Sequence, residues 1–568
     1  MPPRTPRSAP RPTPRPSTAE RRHPAHHTAL LDPHSPEAIA QRRGPDLRLV
    51  PPALAMWLAV TWTLHARSAL PLLVCLVFAA AFLPARVTRP FAAAASCAAV
   101  AAGCAFLRVL YSDATSRSLF PHLATVGKDH FRGRVQVSGS PSPLSDGGVK
   151  VSVALPDLGE VPLFLSDKHA AGAVHASELQ PGQTIHIAAT VAPSDRAGLV
   201  PVILRAQRGI TEAHDPQGFW AVTSWLREGL TSTAASLPGE GAQIIPGTVV
   251  GDVSMQTPAS REDFIATGLS HLTAVSGANV AIVTGAAVAA CLTLGFHRRW
   301  ALTAAAVALA GYVALVGPEP SVLRAGVMGT VGLVAMLTAH WSDILAALSA
   351  AVIVLSLLMP GQVVTYAFCL SVIATLGIVV LSPWIAKKVL RGWKQVCECH
   401  WDRFPTQAEA ILVRMVCVAI AADIVTLPII VHMTGKISIV AVVANVAVAW
   451  AVPIVTLTGL LAAPLCALAT HTVLPDWFGR LTLAPAAPPA NWIVWVADHL
   501  ARIPMILTPG GWPWTLLLLA NLALSIATIR WWRSWRFWRW SWLFLGLIWA
   551  FAWRWGILSF DISYPVTM

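Results

Sequence analysis

The sequence predicts a polytopic α-helical membrane protein with one small β-barrel inserted among its spans. Three observations carry this. Of 568 residues, 55% are hydrophobic and only 12% are charged, with a mean hydropathy of +0.59, whereas soluble domains carry roughly 25% charged residues. Apolar runs of about 20 residues, the length that crosses a bilayer, recur along the chain. One stretch, 112–216, breaks that pattern and alternates with a period of two. The composition excludes a cytosolic enzyme, a disordered protein and a secreted disulfide scaffold. The nine cysteines avoid the region between Tyr111 and Pro216, so no disulfide framework is implied there. The net charge is +13, from 41 Lys+Arg against 28 Asp+Glu. In a membrane protein that excess marks cytoplasmic loops before it marks a nucleic-acid partner.

Residues 1–46 are rich in Pro and Arg and offer no apolar face to bury, so they read as a disordered basic tail. No short apolar core with a small-residue cleavage site follows, which argues against a signal peptide. Arg4, Arg7, Arg11, Arg15, Arg21, Arg22, Arg42, Arg43 and Arg48 hold this end in the cytoplasm. Within 47–111, three spans fall near 47–65, 69–86 and 90–110. Arg86 and Arg89 mark the loop between the second and third as cytoplasmic. An odd number of spans places 112–216 outside the cell.

That outer segment holds five strand-like runs: HFRGRVQVSG, GGVKVSVAL, EVPLFLS, QTIHIAATV and LVPVILRAQ. Five short strands in about 100 residues fit an OB-like barrel. Such barrels bind single strands with stacked aromatics and a basic groove. Here the aromatic rings other than His are Phe120, Phe131 and Phe164, and nine Lys/Arg face ten Asp/Glu. The domain therefore reads as structural. Residues 217–272 form an amphipathic helix and a connector, with Trp220 and Trp225 suited to the membrane interface.

From 273 to 560 the chain is almost all span, near 273–296, 300–317, 321–339, 342–359, 362–384, 411–433, 437–453, 455–471, 512–529 and 541–558. A short end, 561–568, follows. Basic stretches at His297-Arg298-Arg299 and at 387–394 both land inside by parity. The apolar run 437–471 exceeds one ordinary helix and contains Pro453. Split in two, it gives about thirteen spans, with Arg530, Arg533, Arg536 and Arg539 inside and the C-terminus outside.

No soluble-enzyme motif is present. GxxxxGK[ST], HExxH and HxHxDH are all missing from the sequence, so no enzyme activity, nucleotide or other cofactor is expected. Cys397-Glu398-Cys399-His400, with Asp402, is the one metal-like cluster. Its spacing is tight and a partner pair is missing, so it reads as a reduced cytoplasmic loop and no metal is expected.

The sharpest feature is Gly268-Leu269-Ser270-His271-Leu272-Thr273-Ala274-Val275-Ser276-Gly277-Ala278-Asn279-Val280. A polar string runs into an apolar span. Such residues are costly in lipid and should face the protein interior or a wet cavity. The Ser-His pair lacks an acidic orienter and a nucleophile elbow, so hydrolysis is not supported. Helix packing and a polar pore wall both remain open.

HLTAVSGANV resembles the signature of the ComEC competence family. Other pieces agree in the family's order: GDVS (251–254), PSVLRAGVM (320–328), AFCLSVIATLGI (367–378), AADIVTLPIIVH (421–432) and VANVAVAWAVPIVTLTGLLA (443–462). The resemblance covers about 50–560. It implies a plasma-membrane channel for single-stranded DNA in natural transformation. The implied partners are single-stranded DNA, membrane lipid, a competence DNA receptor and a cytoplasmic DNA-translocating motor; it leaves the oligomeric state open. His271, Ser276, Asn279, Arg324, Ser371, Asp423 and Asn445 become candidates to line the channel or contact DNA.

Two departures stand out. Phe368-Cys369-Leu370-Ser371 replaces the family's Phe-Gln-Leu-Ser, and Asp423 stands where the family often has Gln. An ionised Asp423 is awkward for a polyanion; a neutral Asp423, or one paired with Arg414 or Arg324, resolves that. Many members also continue into a metallo-β-lactamase-like domain. This sequence stops at DISYPVTM without that domain's ligands, so a nuclease step would need another protein or does not occur.

For Arg324, snorkelling to the interface and phosphate contact are the two readings. Asn279 and Asn445 suit interhelical hydrogen bonds as well as substrate contact. His271 suits the outer mouth or a structural role. RWWRSWRFWRW (530–540) suits both an interfacial anchor beside anionic lipid and stacking on emerging DNA. Rival functions are a small-solute secondary transporter, with Asp423 and Pro428 serving a coupling ion, and a non-transporting scaffold for competence proteins.

Overall fold

A computed structural model describes residues 46–82, 89–144, 148–166, 179–194, 198–207, 210, 212–273, 275–317, 319–337, 343–401, 405–472, 474–508 and 559–560. The basic tail, the spans expected at 512–529 and 541–558, and Arg530, Arg533, Arg536 and Arg539 lie outside the described residues.

The chain is a polytopic helical membrane protein with a small β-barrel. It opens with α1 (Val50–Ala66), α2 (Leu70–Phe82) and α3 (Arg89–Leu119). The boundary expected at 111 falls inside α3, which runs on to Leu119. Asp113 in that extension pairs with Arg67, and Arg67 Nη1 also donates to the Gly198 carbonyl at 3.0 Å. The polar last turns of α3 therefore belong to the joint between helices and barrel.

All five expected strands form: β1 (Asp129–Val137), β2 (Gly148–Leu155), β3 (Gly159–Ser166), β4 (Thr184–Pro193) and β5 (Val202–Ala206). They close a ring in the order β1-β2-β3-β5-β4 and back to β1. Four pairings are antiparallel, and β3 with β5 is parallel at Leu163↔Leu204. The period of two sends Val151, Val153, Leu163, Ile185, Val191 and Leu204 inward, all fully or almost fully buried. Phe120 is 3% exposed and packs with this core. His130, Arg132 and Arg134 alternate outward on β1.

After the barrel the connector is a packing centre. It contains α4 (Phe219–Ala235), α5 (Ile245–Val250) and α6 (Pro258–Ala266). Every residue of α5 is buried. Leu230, Ile245, Val249 and Phe264 share one core cluster with Val455, Ala462, Ile493 and Val496 from later helices. The expected interfacial tryptophans are drawn into this framework. Trp220 abuts the barrel turn at Gly182, where φ is +91° and a Cβ would lie 2.4 Å from the Trp220 Cβ. Trp225 stacks on His471 with centroids 6.0 Å apart.

The helical region continues with α7 (Gly277–Thr293), α8 (Arg298–Val316), α9 (Pro320–Leu337), α10 (Ile344–Leu358), α11 (Tyr366–Trp401) and α12 (Gln407–Thr434). Then come α13 (Ala441–Val448), α14 (Ala451–His471), α15 (Asp476–Leu483) and α16 (Ala487–Ala501). Among the described residues, six helices are long and apolar enough to cross a membrane: Pro90–Leu119, Arg298–Val316, Pro320–Leu337, Tyr366–His400, Gln407–Thr434 and Ala451–His471. Shorter apolar helices include Leu70–Ala81, Gly277–Thr293 and Ile344–Leu358.

Two expectations are corrected. The span placed at 437–453 does not form. Lys436–Ile437 pairs with Ile506–Leu507 as a short strand, and α13 has only eight residues, about 12 Å at 1.5 Å per residue. The β-branched run ISIVAVV favours neither a long helix nor a smooth start to one. The basic stretch 387–394 and Cys397-Glu398-Cys399-His400 are not a loop; they are the last turns of α11.

Close helix contacts depend on small residues. At Gly229 on α4, an added Cβ would lie 2.2 Å from the Ala467 Cα on α14. Gly229→Ala is therefore expected to cost about 3 kcal/mol through overpacking against backbone. Gly285→Ala on α7, with nothing within 4 Å, is expected to be neutral or stabilising. Thermal unfolding in detergent compares them; equal unfolding temperatures would contradict the contact.

Candidate functional site

The signature is built against α5. Gly268 has φ +71°, and a Cβ there would lie 2.7 Å from the Ala441 Cβ of α13, so both backbone and space require glycine. A short 3-10 turn, Ser270–Leu272, follows. Thr248 Oγ1 donates to the Ile244 carbonyl at 2.9 Å and the Leu272 carbonyl at 3.2 Å. Gly247 lets the signature backbone lie close, since a Cβ would meet the Thr273 carbonyl at 2.4 Å.

Asn279 fixes the start of α7. Its residue is 2% exposed, and Nδ2 donates to the Thr248 carbonyl at 2.9 Å while Oδ1 accepts from Ser276 Oγ at 3.2 Å. The amide is thus partnered within the protein, the structural option left open by the sequence. Tyr312 on α8 donates to the neighbouring Val249 carbonyl at 3.1 Å. Ser321 Oγ, at the start of α9, donates to the Val275 carbonyl at 3.1 Å.

Arg324 on α9 is 7% exposed. Its Nε donates to Ser371 Oγ on α11 at 2.8 Å, and Nη1 lies 3.2 Å from Met328 Sδ. Its Nη2 sits beside the first residue of α7: a Cβ on Gly277 would lie 2.7 Å from it. The guanidinium is turned into the protein, so it does not snorkel. Ser276, Asn279, Arg324 and Ser371, taken from three separate motifs, therefore meet at one junction.

The other candidates do not join it. His271 hydrogen-bonds through Nδ1 to the Gly268 carbonyl at 3.2 Å and reaches solvent. Protein crowding lowers its pKa from the ordinary imidazole value, partly offset by that carbonyl. Asp423 on α12 is half-buried, and among the described residues its carboxylate has no ion pair or hydrogen-bond partner. The pairing considered with Arg414 or Arg324 does not form. Asn445 on α13 is half-buried and likewise without a hydrogen-bond partner among the described residues. Among the described residues no group of three or more His, Cys, Asp or Glu is arranged to hold a metal.

Sequence reasoning missed three residues. Thr248 and Ser321 carry the signature's backbone contacts; Ser321 stood beside Arg324 in PSVLRAGVM. The third, Arg227 on α4, is 6% exposed. Its Nη1 donates to Ser140 Oγ of the barrel at 2.9 Å, and its Nη2 donates to the Leu315 and Val316 carbonyls at 2.9 and 2.8 Å. These carbonyls end α8, so the cation stands at the negative end of that helix. Burial lowers its pKa, while the charges of Asp252 and Glu319 raise it.

Two carboxylates flank this joint. Desolvation by crowding raises the Glu319 pKa, with Arg227 and Lys150 opposing. Desolvation, then the charge of Glu319, raises that of Glu160. Both reach solvent, which keeps the effect modest. With both folded values above the ordinary 4.5, the folded chain holds more protons just above that pH than the unfolded chain does. Their contribution is present below 4.5 and lost as pH rises through the raised values. A Glu160→Gln, Glu319→Gln double variant is expected to flatten the fall in unfolding temperature over that range. An unchanged slope would contradict this.

A profile of the Competence protein family matches residues 248–555. That span contains Thr248, the signature, Arg324, Ser371, Asp423 and Asn445. The chain is also similar to ComE operon protein 3 of Bacillus subtilis (strain 168), 29% identical over 174 residues. The alignment covers 30% of this chain and 22% of that relative, so it spans about a fifth of the relative's length. No solved structure matches the chain. The family match extends over more than half of the sequence and contains the whole junction, and the chain belongs to the Competence protein family.

Proposed function

We propose that the chain is a channel that passes single-stranded DNA across the plasma membrane during competence. The observation that carries this is Arg324: a buried guanidinium without a carboxylate partner, held against the family signature by Gly277 and Ser371. A polyanion needs local positive compensation and a wet path through lipid. Arg324 and the polar start of α7 supply the first, and the solvent-exposed His271 of the signature lies beside the second in this reading. Family membership supplies the substrate class.

The barrel lies outside the cell in this reading, after the odd-numbered set α1–α3, with the N-terminal tail in the cytoplasm. Its closed strand order and the parallel β3–β5 pair support an OB-like fold. The chain works without bond chemistry of its own; a cytoplasmic motor supplies the work and a DNA receptor the strand.

The test is uptake of labelled DNA into a DNase-protected state in intact cells. Protection should vanish in a deletion strain and return with the wild-type chain. Full protection without the chain, in a host shown to take up DNA, would end the channel reading.

A further inference from the structure

We infer that the start of α7 and Arg324 form one oxyanion subsite, and that its ligand is a phosphate group. This rests on the DNA-channel reading and names the group that the junction holds. Helix α7 has 17 residues and begins at Gly277, with Ser276 as its N-cap. Ser276 makes no side-chain cap; its hydroxyl turns to Asn279 Oδ1. The Asn279 N–H is satisfied by the Ser276 carbonyl at 3.1 Å. The N–H groups of Gly277 and Ala278 have no acceptor among the described residues.

The second, independent observation is the guanidinium. Arg324 is more than nine-tenths buried, at 7% exposure. Nε is used by Ser371 and Nη1 by Met328 Sδ. Nη2 has no acceptor among the described residues and lies next to Gly277, 2.7 Å from where a Cβ would stand.

A helix N-terminus carries about half a positive charge. A full cation beside it is repelled, and an anion that touches both relieves that repulsion. No described carboxylate hydrogen-bonds or ion-pairs with Arg324. Free N–H groups at a helix start bind phosphate oxygens, and a guanidinium edge matches the same group. Glycine at 277 lets the Arg324 guanidinium approach the start of α7, where a Cβ would lie 2.7 Å from Nη2. The two halves together present donors that match the oxygens of a phosphate.

The phosphate can come from a DNA strand or from solution, and the test separates these. Full-length chain in neutral detergent is titrated with inorganic phosphate, with chloride at equal ionic strength, with a short oligothymidylate, and with its uncharged methylphosphonate counterpart. Phosphate is expected to raise the unfolding temperature by about a few degrees at saturating concentration. The oligothymidylate should bind and the uncharged strand should not. Arg324→Gln should lose both effects. Arg324→Lys should weaken them by about tenfold, since the planar fork is gone. Gly277→Ala should lose both with no change in charge, and it carries the test if Arg324→Gln fails to fold.

A phosphate effect equal to that of chloride, or unchanged in both Arg324→Gln and Gly277→Ala, would overturn the subsite. Oligothymidylate binding that ignores both substitutions would also overturn it while leaving the DNA channel standing. An Arg324-dependent phosphate effect without any oligothymidylate binding would keep the subsite and end the DNA reading.

Discussion

Replacing Arg324 with Gln is expected to reduce DNase-protected DNA uptake by roughly 100-fold, with the protein present at wild-type level. The magnitude follows from losing one buried, charge-assisted contact to a phosphate, about 3 kcal/mol. Stability should move the other way or not at all. Arg324 is buried with a hydroxyl and a thioether as its partners, so removing its charge relieves a desolvation cost. A purely structural arginine would behave oppositely, losing stability together with uptake. Arg324→Lys keeps the charge and should restore part of the uptake. Ser371→Ala, which frees Nε, should give a smaller loss than Arg324→Gln because the guanidinium remains. Uptake and detergent unfolding temperature, measured on the same variants, separate the two roles.

Arg227→Met is expected to lower stability by about 2–4 kcal/mol, the cost of leaving buried acceptors without their donor. Three acceptors from two different regions lose their donor: Ser140 in the barrel, and Leu315 and Val316 at the end of α8. The barrel's own core does not include Arg227. The barrel should therefore stay folded while its docking loosens. Hydrogen exchange should rise in the loop holding Ser140 and at the end of α8, and stay low in β2 and β4. Uniformly faster exchange through the barrel strands would contradict the docking role. Arg227→Lys should recover part of the loss, because it can reach fewer of the three acceptors at once.

Much of this architecture was legible because its signals are local. The barrel strands alternate with a period of two, and Val151, Val153, Leu163 and Ile185 fall on the inward positions that this period dictates. Most membrane helices follow from apolar length alone. The failures lie where tertiary contact overrides composition. The run 437–453 is mostly apolar, but pairing of Lys436–Ile437 with a distant strand and the end of α13 at Val448 break it. The basic stretch 387–394 looked like a loop because charge leaves the bilayer; the helix simply continues past the membrane.

The site was half legible for the same reason. Ser276, Asn279, Arg324 and Ser371 are conspicuous as polar residues in apolar runs, and burial brings them together. Arg227 sits in WLREGL, which reads as the polar face of a surface helix. Its burial depends on the barrel and on α8, which no local pattern reveals. Asp423 was conspicuous too, yet neither Arg414 nor Arg324, the partners considered for it, pairs with it among the described residues.

The most direct measurement is a cross-link to moving DNA. A photoreactive residue placed at Ala278, exposed at the start of α7, would be activated in cells importing labelled DNA, beside a control at Val307. Val307 is 68% exposed on α8 and is expected to face lipid. The expected result is a DNA adduct at 278 that appears only during uptake and is lost with Arg324→Gln, with none at 307. No adduct at 278 during active uptake, or equal adducts at both positions, would show that DNA does not pass the junction of Arg324 and the signature.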